Sequence, residues 1–204
     1  MKARILLTMA ALSVFLCGEA AAQKKRQPEE GTFTQWRGLI DNIDIRKTFS
    51  INDYSTIYIL PIDASEIPLP DKEDNTYGPT VATLENAAAL SAGYMRKPFK
   101  KSEITISATD GTETPQEKKA LIVEMKLNEL DAGNRALRIW VGFGAGNAGA
   151  TLSGNIIDAE TGDILVSFKH RRIAPLNPSS HEKVLKTLLR EVNEDVAKML
   201  LQFQ

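Results

Sequence analysis

Three glycines, Gly144, Gly146 and Gly149, stand at the spacing G-x-G-x-x-G. In a dinucleotide site this spacing lets the backbone and the N-terminus of the next helix hold a pyrophosphate. That chemistry needs a strand, the glycine turn, a helix and an acid about 20 residues further on. A strand is predicted ahead of the glycines, because Leu137, Ile139, Val141 and Phe143 alternate with Arg138 and Trp140. Glu160 and Asp163 offer themselves as the acid. The helix is missing: Leu152 and Ile156 alternate with Thr151, Ser153 and Asn155, and Gly154 falls on the apolar side, which is a strand pattern. No Gly-Lys-Ser/Thr occurs, so a Walker loop is excluded, and no cofactor is expected. The glycine run is then a small-residue connection between strands. A bulge, a sharp bend, a linker or a partner-binding flap all fit its composition.

Other candidate chemistry is sparse. His170 and His181 lie at a predicted strand end and in a predicted helix's first turn, with no spaced ligand set around either. Asp158, Glu160 and Asp163 crowd one turn but lack the D-x-D-x-D-G order of a calcium loop, so a plain polar turn is expected and no metal site. No serine sits in a G-x-S-x-G elbow; Leu152 and Thr151 precede Ser153. Trp36, Trp140, Tyr58 and Tyr94 are scattered and make no binding stripe. No catalytic residue is assigned.

The elements that must position these residues follow from periodicity. Thr56 to Ile62 is apolar on both parities, as in a central strand covered on both sides, with Pro61 near its end. Ala64 to Pro79 is a proline-rich, acidic loop. Thr80 is placed to cap a helix over about 80–97, which Pro98 stops. Ile104 and Ile106 mark a short strand, and Leu121, Val123, Met125 and Leu127 share one face of a longer one. Asp158-Ala159-Glu160-Thr161-Gly162-Asp163 is a turn sequence between two alternating runs, so 150–171 reads as a β-hairpin. Ser179 and Glu182 match a capping box. Leu185, Leu189, Val192, Val196, Met199 and Phe203 then define an amphipathic helix over about 180–203. The expected fold is α+β: a mainly antiparallel sheet of about five strands with two helices (80–97 and 180–203) on one face.

The N-terminus carries an address. Lys2 and Arg4 precede the apolar run Ile5–Leu16, and Ala20-Ala21-Ala22 supplies the small residues a signal peptidase reads. Residues 1–22 are expected to be a signal peptide, leaving no transmembrane span once it is removed, since this run falls short of the ~20 residues needed to cross a bilayer. Residues 23–50 are expected as a charged, flexible extension and 51–204 as a single α+β domain. Cys17 is the only cysteine; it is discarded with the signal, or it is a lipidation site, although Phe15 and Leu16 in front of it are bulky for that purpose. With a net charge of −1 the chain has no electrostatic footprint for nucleic acid.

The run from Gly142 to Phe168 resembles the hallmark of a family of exported bacterial proteins, many of them lipoproteins, known only as a domain of unknown function. Gly142, Gly144 and Gly146 match its glycine-rich part. Asp158, Ala159, Thr161, Gly162, Leu165 and Phe168 match its strand–D-A-x-T-G–strand part. The strand TIYILPID and the closing helix are similar too, so the resemblance covers most of 51–204. It implies an envelope α/β domain of the kind seen in outer-membrane accessory lipoproteins, and it brings no assigned reaction. The function expected is therefore non-catalytic binding or assembly in the periplasm or envelope, with an unidentified envelope protein as partner. A secreted hydrolase whose site is assembled from distant residues, and a lipid-anchored transport or assembly accessory, are the competing readings.

Overall fold

The computed structural model describes residues 27–133, 147–174 and 180–204. Seven strands form one mixed sheet: β1 (Gly31–Trp36), β2 (Ile40–Ile45), β3 (Thr56–Ile59), β4 (Thr105–Ala108), β5 (Ala120–Asp131), β6 (Gly149–Asp158) and β7 (Ile164–Ile173). Their order across the sheet is β1-β2-β7-β6-β5-β3-β4. Three α-helices, α1 (Tyr77–Glu85), α2 (Ala87–Arg96) and α3 (His181–Leu200), and a short 3-10 turn (Ile51–Asp53) complete the described part. Among the described residues no helix is long and apolar enough to cross a membrane.

Side-chain alternation sorts the sheet into two faces. Ile57, Ile59, Leu121, Val123, Met125, Leu127, Leu152, Ile156, Val166 and Phe168 are buried in one core with Leu185, Leu188, Leu189, Val192, Val196 and Met199 of α3. The expected stripe of α3 thus packs on the sheet, widened by Val184 and Leu188. The opposite face is polar along most of its length. It carries a small apolar group where Tyr58, Leu60 and Ile157 pack on Ala120, Ile122 and Ala159, so β3 is partly covered on its second side.

Four differences from the expected fold have physical causes. The first is strand number. Residues 31–45, assigned to a flexible extension, form the β1–β2 hairpin that pairs onto β7. Ile40, Ile43 and Ile45 are each about 1 % exposed, and Trp36 and Phe49 stack on Phe203 at centroid distances of 5.8 and 4.4 Å. The apolar spacing from Ile40 to Ile43 is not a strand period, and Gln35 and Arg37 have positive φ at the turn, so alternation alone does not show this hairpin.

The second is direction: β3 runs parallel to both β4 and β5, because α1 and α2 form the crossover from β3 to β4. The remaining neighbours are antiparallel. The third is the first helix, which starts at Tyr77 and is divided at Asn86. Asp74 Oδ1 accepts from both the amide and the hydroxyl of Thr76 and fixes the turn before it. Pro79 then falls in the first turn, where no amide donor is required, and Thr80 is a buried interior residue rather than the cap. The fourth is the cap of α3. Ser180 fills that place, its Oγ accepting from the Lys183 amide at 3.4 Å, and Ser179 lies outside the described residues.

Candidate functional site

Strand β7 places His170 and Arg172 on the helix side of the sheet and Arg171 between them on the other side. The strongest concentration of ionisable chemistry in the described molecule forms around the first two. His170 Nδ1 is 3.1 Å from Asp41 Oδ2 of β2, and its Nε2 is 3.2 Å from Asp195 Oδ2 of α3. Arg172 donates to the same Asp195 oxygen, and Lys198 Nζ meets Asp195 Oδ1 at 3.0 Å. The Arg171 amide donates to Asp41 at 2.7 Å. His170 is 5 % exposed and Asp195 only 2 %.

Burial alone would raise the Asp195 carboxyl, but His170, Lys198 and Arg172 outweigh it and hold it at about 2. Asp41 is likewise pushed up by burial. It ends below its ordinary value through the Arg171 amide and His170. Both carboxylates are therefore ionised, and both imidazole nitrogens face them. The cluster ties β2, β7 and α3 together. Among the described residues the hydrogen-bond partners of the ring are these two carboxylates. Sequence inspection misses it because Asp41 and Asp195 lie 129 and 25 residues from His170. A buried acid on the apolar stripe of α3, between Val192 and Val196, is the one signal that marks it.

The D-A-E-T-G sequence occupies the β6–β7 turn. Asp158 Oδ1 accepts from the amides of Glu160 and Thr161 at 3.0 and 2.9 Å, and the Asp158 carbonyl accepts from Gly162. Thr161 Oγ1 accepts the Asp163 amide. Gly162 adopts φ 76°, a left-handed conformation that glycine takes without strain. Tyr54 donates its hydroxyl to Asp158 Oδ2 at 2.8 Å. Burial and that carboxylate push the phenol well above its usual range, while burial of Asp158 is offset by its amide and hydroxyl donors, which leave the acid lowered. Asp158, Glu160 and Asp163 are thus committed to hydrogen bonds or to lysines: Glu160 lies 3.8 Å from Lys118 and Asp163 3.2 Å from Lys47. No group of three or more metal-ligating side chains occurs among the described residues.

Phe168 lies on the core face, opposite Gly154 of β6. A Cβ at Gly154 would come within 2.2 Å of the Glu124 carbonyl oxygen and 2.9 Å of the phenyl ring, so this strand position requires glycine. Gly149 opens β6, and the chain after it is strand, with no helix N-terminus to receive a pyrophosphate. Gly142, Gly144 and Gly146, the strand expected over 137–143, and Cys17 lie outside the described residues. His181 sits at the first position of α3, apart from the His170 cluster.

Fold and site together define a two-layer α+β domain whose described ionic chemistry fastens its layers. The chain belongs to the family described as a domain of unknown function, DUF4410, whose model matches residues 57–176. No curated protein matches it. Similar solved structures include the PelC dodecamer from Paraburkholderia phytofirmans (11 % identity, 76 % of this chain and 95 % of that one, TM-score 0.46). A Xanthomonas campestris protein of the DUF330 family is similar at 10 % identity (78 % and 92 % covered, TM-score 0.44). A Neisseria meningitidis lipoprotein is similar at 11 % (71 % and 99 %, TM-score 0.36). At these identities no function transfers from them.

Proposed function

We propose that this protein is an exported, envelope-associated domain that acts by binding or assembly and not by catalysis. One observation carries the reading: in the best acid–histidine constellation, Asp41–His170–Asp195, the imidazole and Asp195 are buried beneath α3, and Asp195 is paired with Arg172 and Lys198. A general base needs a reacting proton within hydrogen-bond reach, and here both ring nitrogens are taken by carboxylates. The export part of the reading rests on the basic, apolar and small-residue layout of residues 1–22. Processing after Ala22 would leave a short charged tether ahead of β1.

Proximity labelling or capture with the tagged, exported protein tests this. A reproducible envelope protein partner is the expected result. Turnover of an envelope substrate that disappears when one acidic or histidine residue is replaced would establish the hydrolase reading instead. Mass spectrometry of the mature N-terminus decides anchoring: Gln23 as first residue means a free domain, acylated Cys17 a lipid-anchored accessory.

A further inference from the structure

The outer side of the first three turns of α3 borders a cleft of about 380 Å³. Tyr94 of α2 closes one side, and Lys183, Lys186, Thr187 and Arg190 of α3 line the other. Three of these side chains are cations. The single lining carboxylate, Glu182, is held by Lys186 at 2.6 Å. Lys183 has no ion-pair partner among the described residues. Arg190 reaches Glu191 only at 3.5 Å through Nη2, and its side chain is 42 % exposed. The whole chain carries a net charge of −1, so this positive lining is a local concentration and not general basicity.

We infer that the α2–α3 cleft binds a phosphate-type anion. Lys183 and Lys186 supply charge, the Arg190 guanidinium supplies paired N–H donors suited to an oxyanion, and the Tyr94 and Thr187 hydroxyls complete the lining. The excess of two positive charges in the lining matches a phosphate better than a lone carboxylate. The volume leaves space for the group to which the phosphate is esterified. That group belongs to a soluble phosphoester or to a lipid headgroup. The inference rests on the binding reading above and names a ligand class for it.

The test uses the exported full-length protein and two probes. Glycerol phosphate is titrated while the amide resonances of α3 are followed by NMR. Vesicles of phosphatidylcholine, with and without phosphatidylglycerol, are used in a co-sedimentation assay. Saturable binding in either arm is expected, weakened at least about tenfold by Arg190→Gln and abolished in the triple variant Lys183→Gln/Lys186→Gln/Arg190→Gln. All three side chains lie on the outer side of α3, and circular dichroism checks that helicity is kept. Binding of glycerol phosphate assigns a soluble ester; binding of phosphatidylglycerol vesicles alone assigns a headgroup. No saturable binding in either arm, or binding that the folded triple variant retains, overturns the site. Capture of an envelope protein partner by the same triple variant tells the two readings apart, because the binding role then stands whether or not the cleft does.

Discussion

Arg171 and Arg172 are neighbours on β7, each pairs with a carboxylate, and their surroundings are opposite. Arg172 points under α3 and meets Asp195, whose side chain is 2 % exposed. Arg171 points to the open face, where its Nε and Nη2 meet both oxygens of Glu129 at 2.9 and 2.7 Å and Thr151 adds a bond of 2.6 Å. The outer pair has the better fork geometry, yet both partners keep access to water, at 47 % and 34 % exposure. Water competes with an exposed pair and returns little net energy. The inner pair differs on its acid side: Asp195 and His170 are shut off from water while Arg172 stays 39 % exposed, so losing a partner of Asp195 leaves a buried carboxylate short of a counter-charge. On this contrast, burial of the carboxylate, and not the fork geometry, is what should separate the two pairs in stability.

The comparison breaks first at Asp195. Asp195→Ala leaves the buried His170 Nε2 without its partner while the half-exposed Arg172 turns to water, and a loss of about 1–3 kcal/mol is expected in urea unfolding; a loss well below about 1 kcal/mol would show that the cluster is solvated. On the same inner face, Gly154→Ala drives a methyl group into the Glu124 carbonyl and the Phe168 ring. An overpacking cost of about 1–3 kcal/mol should appear as a lower Tm, and an unchanged Tm would mean that β5 and β6 can move apart freely.

Acid sharpens the same contrast. The Asp195 carboxyl is held at about 2 against an ordinary 3.8. A lowered acid stabilises the fold above its unfolded value and ceases to do so as pH falls through the folded one. Roughly 2 kcal/mol should therefore be lost between about pH 5 and pH 2. Asp195→Asn should be less stable at neutral pH and show a flatter acid limb; parallel limbs would place the titration elsewhere. The smallest effect belongs to the outer pair. Glu129→Gln should cost at most about 1 kcal/mol, and the difference from wild type should shrink in high salt. A cost equal to that of Asp195→Ala would erase the distinction between the two faces.

Where a local period decides, the fold was legible in the sequence. Leu121 to Leu127 announces β5, the D-A-E-T-G turn and its flanks announce the β6–β7 hairpin, and the stripe from Leu185 to Phe203 announces α3. The glycine spacing was also legible locally, because Thr151 to Ile157 is strand and not helix. The β1–β2 hairpin was hidden, since its worth lies in partners far along the chain: Lys169 and Phe168 across the ladder, Phe203 against Trp36. The division of the first helix at Asn86 was hidden too. It goes with the non-helical backbone of Asn86, whose side chain donates back to the Ala82 carbonyl, not with any missing apolar residue.

By itself the sequence determined which segments alternate, which helix is amphipathic, where a turn must reverse the chain, and that residues 1–22 have the layout of an export signal. Each depends on residues within a few positions of one another. Only the tertiary structure decided that β3 lies parallel between β4 and β5, that Asp41 and Asp195 close on His170, and that Tyr94 faces Arg190 across a cleft. Those outcomes bring together groups distant in the chain. Their energies exist only after the apolar faces have packed and excluded the water that would otherwise screen them.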